Sequence, residues 1–237
     1  RLDEIELNSK YTIENLWILE AVGCQHIYLS SPPHYRIRLC VPNKNVNIVE
    51  GVQRMLRTAN IEKVFIFLPV IHRQHRAIYK MLNESSISSI TFRNEDMNVT
   101  DEMLLDCVKN HNVVEIPRRF GISKITEVAL HSIYKDLLSG GIPLNRLTVD
   151  LSSPTVGRFF ERLQITFTRS NIMSKRPIEV FKDERRGFNI FEGRMRILMR
   201  MQMPRVRNLT LEIFPSQEDC DKEKNSEGWE RVAVEIV

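Results

Sequence analysis

Apolar residues along this chain gather in short runs separated by amphipathic stretches. Eight β-rich runs stand out: Ile37–Val41, Val64–Leu68, Ile90–Phe92, Val113–Ile116, Leu147–Leu151, Ile178–Phe181, Leu209–Phe214 and Val232–Val237. Between them apolar positions recur every three to four residues, the spacing that gives a helix one apolar face. This spacing predicts helices over Thr12–Ala21, Asn47–Ala59, His75–Leu82, Asp101–Asn110, Lys124–Ser139, Pro154–Leu163 and Ile190–Met203. Thr100, Ser123 and Ser153 precede three of them as N-caps, Pro154 takes a first helical position, and Gly140-Gly141 follows Ser139 as a stop. The acidic, polar stretch Ser216–Gly228 reads as a mobile loop before the last strand.

Strands that alternate with helices imply parallel pairing through crossover connections. Each run also fits one frame: an anchor, two residues, an apolar residue, any residue, and another apolar residue. The frames begin at His34, Ile61, Ile87, His111, Leu144, Lys175, Val206 and Trp229. Leucine-rich repeats of about 20–29 residues carry a strand frame of this kind. The expected fold is therefore α/β, an irregular leucine-rich-repeat-like solenoid with parallel strands on one side and helices on the other. Residues 1–33 form an N-terminal helical cap and residues 34–237 the arc. With 42% apolar residues the frame alone recurs by chance, so the ordered alternation carries the expectation. A compact doubly wound α/β domain satisfies the same alternation and stays open beside it.

Net charge changes the picture locally. The whole chain is at +4, but between Arg169 and Arg207 eleven Lys or Arg face four acids. Such asymmetry points to an anionic partner, protein or nucleic acid. Arg185, Arg186, Arg194, Arg196 and Arg200 form the candidate basic patch, interleaved with Met195, Met199, Met201 and Met203. A helix of this composition either docks a groove or lies on a phosphate backbone; equally, it packs its methionines on the core. Cys24, Cys40, Cys107 and Cys220 lack metal-ligand spacing and read as buried thiols of a cytoplasmic or nuclear protein. Neither a signal peptide nor an apolar run of membrane-spanning length is present.

Candidate chemistry is sparse. His72 and His75 share a helix face, but Arg73 and Arg76 beside them repel a cation. The sequence holds no phosphate-cradling glycine loop and no nucleophile elbow. The chain is thus expected to be non-enzymatic, with no cofactor and no metal. If the frame residues point inward, the residues between them line an open sheet face. Phe65, Phe67, Arg93, Asp150, Phe181, Glu212 and Glu235 are then the candidate partner-binding residues, with the phenylalanines as anchors and the acids facing a basic segment. A helix or loop laid over that face would cover them instead.

Runs such as Ile61-Glu62-Lys63-Val64-Phe65-Ile66-Phe67, Leu144-Asn145-Arg146-Leu147-Thr148-Val149-Asp150-Leu151 and Val206-Arg207-Asn208-Leu209-Thr210-Leu211-Glu212-Ile213-Phe214 resemble the degenerate repeats of F-box-associated substrate-binding domains. The nematode families with an FTH-type C-terminal domain are the most similar, over roughly residues 34–237. The resemblance implies a substrate receptor of a Skp–cullin–F-box ubiquitin ligase, meeting a Skp-type adaptor through an F-box upstream of Arg1. Where standard repeats place a turn asparagine, this chain holds Pro42, Pro69, Glu95, Ser152 and Phe214, which predicts an irregular arc.

Overall fold

The computed structural model describes residues 12–20, 34–41, 60–67, 79–85, 87–92, 99–116, 124–168, 171–183, 187–203 and 206–237. They fall into two compact units, Arg1–Asn98 with Lys109–Gly121, and Val99–Val108 with Ile122–Val237.

In the first unit, β1 (Thr12–Glu20), β2 (His34–Val41), β3 (Asn60–Phe67), β4 (Ser89–Phe92) and β5 (Val113–Ile116) pair parallel in the order β2-β1-β3-β4-β5. Connections of 13 to 21 residues separate successive strands, long enough for the crossover that parallel pairing needs. The frame residues are the core: Ile61, Val64 and Ile66, then Ile87, Ile90 and Phe92, then His111, Val114 and Ile116 are all buried. His111 fills the anchor place that isoleucine holds in the two preceding frames, and its Nδ1 lies 2.7 Å from the Ile87 carbonyl oxygen. Because a carbonyl only accepts, Nδ1 carries the proton and donates. Burial holds this imidazole below the ordinary histidine range, with the bond to Ile87 partly opposing the shift.

The expected helix over Thr12–Ala21, the core of the proposed N-terminal cap, is instead β1. It sits between β2 and β3, and Leu16 lies opposite both Ile37 and Val64. The continuous apolar run Leu16-Trp17-Ile18-Leu19 suits a strand flanked on both sides as well as it suits a helix, and pairing on both edges decides it. The expected helix over Asn47–Ala59 lies outside the described residues. Of the expected helix over His75–Leu82, the described residues 79–82 are helical.

The second unit is built differently. The strands β6 (Arg146–Ser152), β9 (Glu179–Asp183), β10 (Gly187–Glu192), β11 (Met195–Met203), β12 (Val206–Ile213) and β13 (Glu230–Val232) lie in the order β13-β9-β10-β11-β12-β6. Every neighbouring pair is antiparallel. A smaller sheet sets β8 (Ile172–Ser174) between β7 (Ile165–Phe167), antiparallel to it, and β14 (Val234–Ile236), parallel to it. Four helices accompany these strands among the described residues: α1 (Asp101–Val108), α2 (Glu127–Ser139), α3 (Ser153–Arg162) and α4 (Gln217–Lys224). The helices predicted over 101–110, 124–139 and 154–163 are present. Thr126 starts α2, and its backbone N–H and hydroxyl donate to the Asp101 carboxylate at 2.8 and 2.6 Å, tying α2 to the first turn of α1.

The solenoid expectation is overturned twice. Strands leave chain order in the first unit and run antiparallel in the second. The expected helix over Ile190–Met203 is the hairpin β10–β11. Glu192 faces Met195 across a two-residue turn, and Gly193, with φ of 57°, supplies the positive dihedral such tight hairpins require. At the other end of β10, Gly187 has φ of 101°, and a Cβ there would overlap the Met199 carbonyl oxygen. Frame residues are again the core, with Leu147, Val149, Leu209 and Leu211 fully buried. At these strands the frame marks the buried face, while Lys175 is exposed and Trp229 half-buried; the frame says nothing about strand direction.

Candidate functional site

A recess of about 490 Å³ opens in the second unit between α3, the β7–β8 hairpin and one face of the larger sheet. Helix α3 forms because Ser152 accepts from the Thr155 N–H at 3.2 Å, Pro154 sits in the first turn, and Val156, Phe159 and Phe160 share its buried side. The N-cap is thus Ser152, one residue before the expected Ser153. Displaced into the first turn, Ser153 borders the recess with a buried hydroxyl that has no hydrogen-bond partner. The helix ends at Leu163, and Gln164, left-handed with φ of 58°, turns the chain into β7.

Sheet register places the recess floor. Lys182 of β9 lies opposite Phe188 of β10, and Phe188 opposite Met199 of β11, so the three form one row across the sheet. Phe167 of β7 reaches down to this row, 5.4 Å from the Phe188 ring centroid, and Phe160 of α3 meets Phe167 edge to face at 5.1 Å. Such arrangements add to the burial of the rings themselves. Lys182 and Arg207 bring positive charge to the lining and Glu161 a negative one. Gly157 borders the recess from α3, and a Cβ placed there would meet nothing within 4 Å.

A polar brace stands behind the helix end. Arg176 donates to the Leu163 carbonyl at 3.0 Å, to Glu192 Oε1 at 3.1 Å and to the Tyr134 hydroxyl at 3.2 Å. Tyr134 in turn donates to Glu192. The Arg176 guanidinium also lies over the Tyr134 ring, 5.4 Å from its centroid. Burial raises the Glu192 carboxyl above the usual carboxylate range and lowers the Arg176 guanidinium. Four segments, α2, the end of α3, the hairpin tip of β10 and the loop after β8, are joined through this one cluster.

Helix α4 covers part of the opposite face of the sheet. Cys220 of α4, Phe181 and Phe191 form a core cluster against which Phe214 and Trp229 pack. Arg196 is held by Glu212 and Glu223 and lies over Phe214, 5.3 Å from the ring centroid. Lys224 and Arg231 both pair with Glu179. The expected loop at Ser216–Gly228 is thus largely helix α4, with Ser216 capping the Asp219 N–H at 3.1 Å. Its signals were present in the sequence: a serine three residues before Asp219, acids in the first turn, and Lys222 and Lys224 in the last. A lone buried Cys220 gives no apolar stripe, which hid it.

This cover bears on where the anticipated binding residues stand. Phe181 is in the cluster, and Glu212 is occupied by Arg196. Asp150 is 1% exposed and accepts from the Asn208 amide at 2.8 Å. None of these three presents itself to a partner. Phe65 is half-buried on β3, opposite Thr91, and Phe67 is the last residue of that strand. Glu235 is exposed on β14, across from Met173. Arg93, Arg185 and Arg186 lie outside the described residues. Of the remaining basic patch, Arg196 is consumed internally, Arg194 donates to the Phe214 and Pro215 carbonyls at 3.2 and 2.6 Å, and Arg200 is exposed on β11.

Sequence reasoning did not find the recess. Phe160 was placed on the inner side of α3, but β7, β8 and β10, which complete the wall, were not read as strands. Among the described residues no cluster of His, Cys, Asp and Glu could hold a metal ion, and no helix is long and apolar enough to cross a membrane. Comparison with family models, curated proteins and solved structures found no match.

Proposed function

We propose that this chain is a non-enzymatic protein-interaction domain that serves as a substrate receptor or scaffold, in the ubiquitin-ligase setting that its repeat-like runs imply. The recess lined by Phe160, Phe167 and Phe188 supports the reading. Aromatic side chains in a pocket supply most of the binding energy at protein interfaces, because they bury large area with few rotatable bonds to immobilise. A phosphate-backbone surface draws less support. Two central cations of the basic stretch, Arg176 and Arg196, are spent on internal carboxylates, and counterion release needs cations that face solvent.

Comparative affinity purification tests this. The full protein is expressed in cells beside a Gly157→Trp variant, which fills the recess from a position where an added side chain meets open space. The expected result is a defined set of proteins recovered with the parent and strongly depleted with the variant. Identical recoveries, or none from either, contradict the reading.

A further inference from the structure

We draw no further inference here: the strongest candidate, the aromatic-lined recess between α3, the β7–β8 hairpin and the larger sheet, is the site already described, and nothing in the structure shows what covers it.

Discussion

Both units carry the strand frame, with Val64, Ile66, Val114 and Ile116 buried in one and Leu147, Val149, Leu209 and Leu211 in the other, yet one pairs its strands parallel and the other antiparallel. The difference lies in the connections. In the first unit 13 to 21 residues separate successive strands, and each chain segment has room to cross over and re-enter in the same direction. In the second, two residues join β10 to β11, two join β11 to β12, and three join β9 to β10. A link of two or three residues can only reverse the chain. In these three hairpins the connector sets direction and neighbour, whereas β6 and β13 join the antiparallel sheet across longer stretches of chain.

The largest effect should come from the turn chemistry of the second unit. Gly187→Ala places a methyl group against the Met199 carbonyl at a positive φ. A destabilisation of about 3 kcal/mol or more is expected from steric overlap and backbone strain together, read as a lower midpoint in urea unfolding. An unchanged midpoint would mean that β10 and β11 do not meet in this register.

Next comes the brace behind α3. In a double-mutant cycle of Arg176→Met and Glu192→Gln, the coupling energy is expected to be about 1 kcal/mol, modest because both groups keep partial contact with water. Additive single effects would show that the cluster does not join the hairpin tip to the loop after β8.

The third prediction concerns the first unit. His111 is buried as the neutral imidazole and its pKa is lowered, so the unfolded chain binds more protons as acid is added. The stability this group contributes is fully present above the ordinary histidine value of about 6.5 and is lost as pH falls below it. Hydrogen exchange at the β5 amides should accelerate from neutral pH toward pH 5, after correction for intrinsic rates, and His111→Gln should flatten that dependence. A flat profile in the parent would contradict the burial of the ring.

The smallest change has the opposite sign. Gly157→Ala should raise stability by about 0.5–1 kcal/mol, since helix propensity improves and nothing blocks the methyl group. A loss of stability would show that the space beside Gly157 is filled.

How much of this was legible beforehand follows the same division. Seven of the β-rich runs fall on single strands, and Val232–Val237 divides between β13 and β14 of different sheets. The helices at 101–108, 127–139 and 153–162 were visible from their apolar spacing, with Thr126 and Ser152 as the caps of the last two. Direction was not visible, because the Ile190–Met203 stretch was read as a helix. Its apolar residues, Ile190, Phe191, Met195, Ile197, Leu198 and Met199, satisfy a helical stripe as well as two strands. The Gly193-Arg194 turn is the feature that separates the readings. That turn splits the stretch into a hairpin and so forms part of the recess wall. The anticipated open face failed for a different reason. Helix α4 covers part of it through a single cysteine and a set of ion pairs, which leave no apolar periodicity to read.

The sheet that carries the recess floor depends on how β6, β12 and β11 run past one another. Methyl–methyl nuclear Overhauser contacts in a sample labelled at Ile, Leu, Val and Met methyl groups measure this directly. The structure predicts cross-peaks between Val149 and Leu209, Leu147 and Leu211, Ile197 and Leu211, and Met199 and Leu209. Cross-peaks that instead join Leu147 to Leu209 and Val149 to Leu211, the pattern of parallel neighbours, would contradict the antiparallel sheet and remove the recess with it.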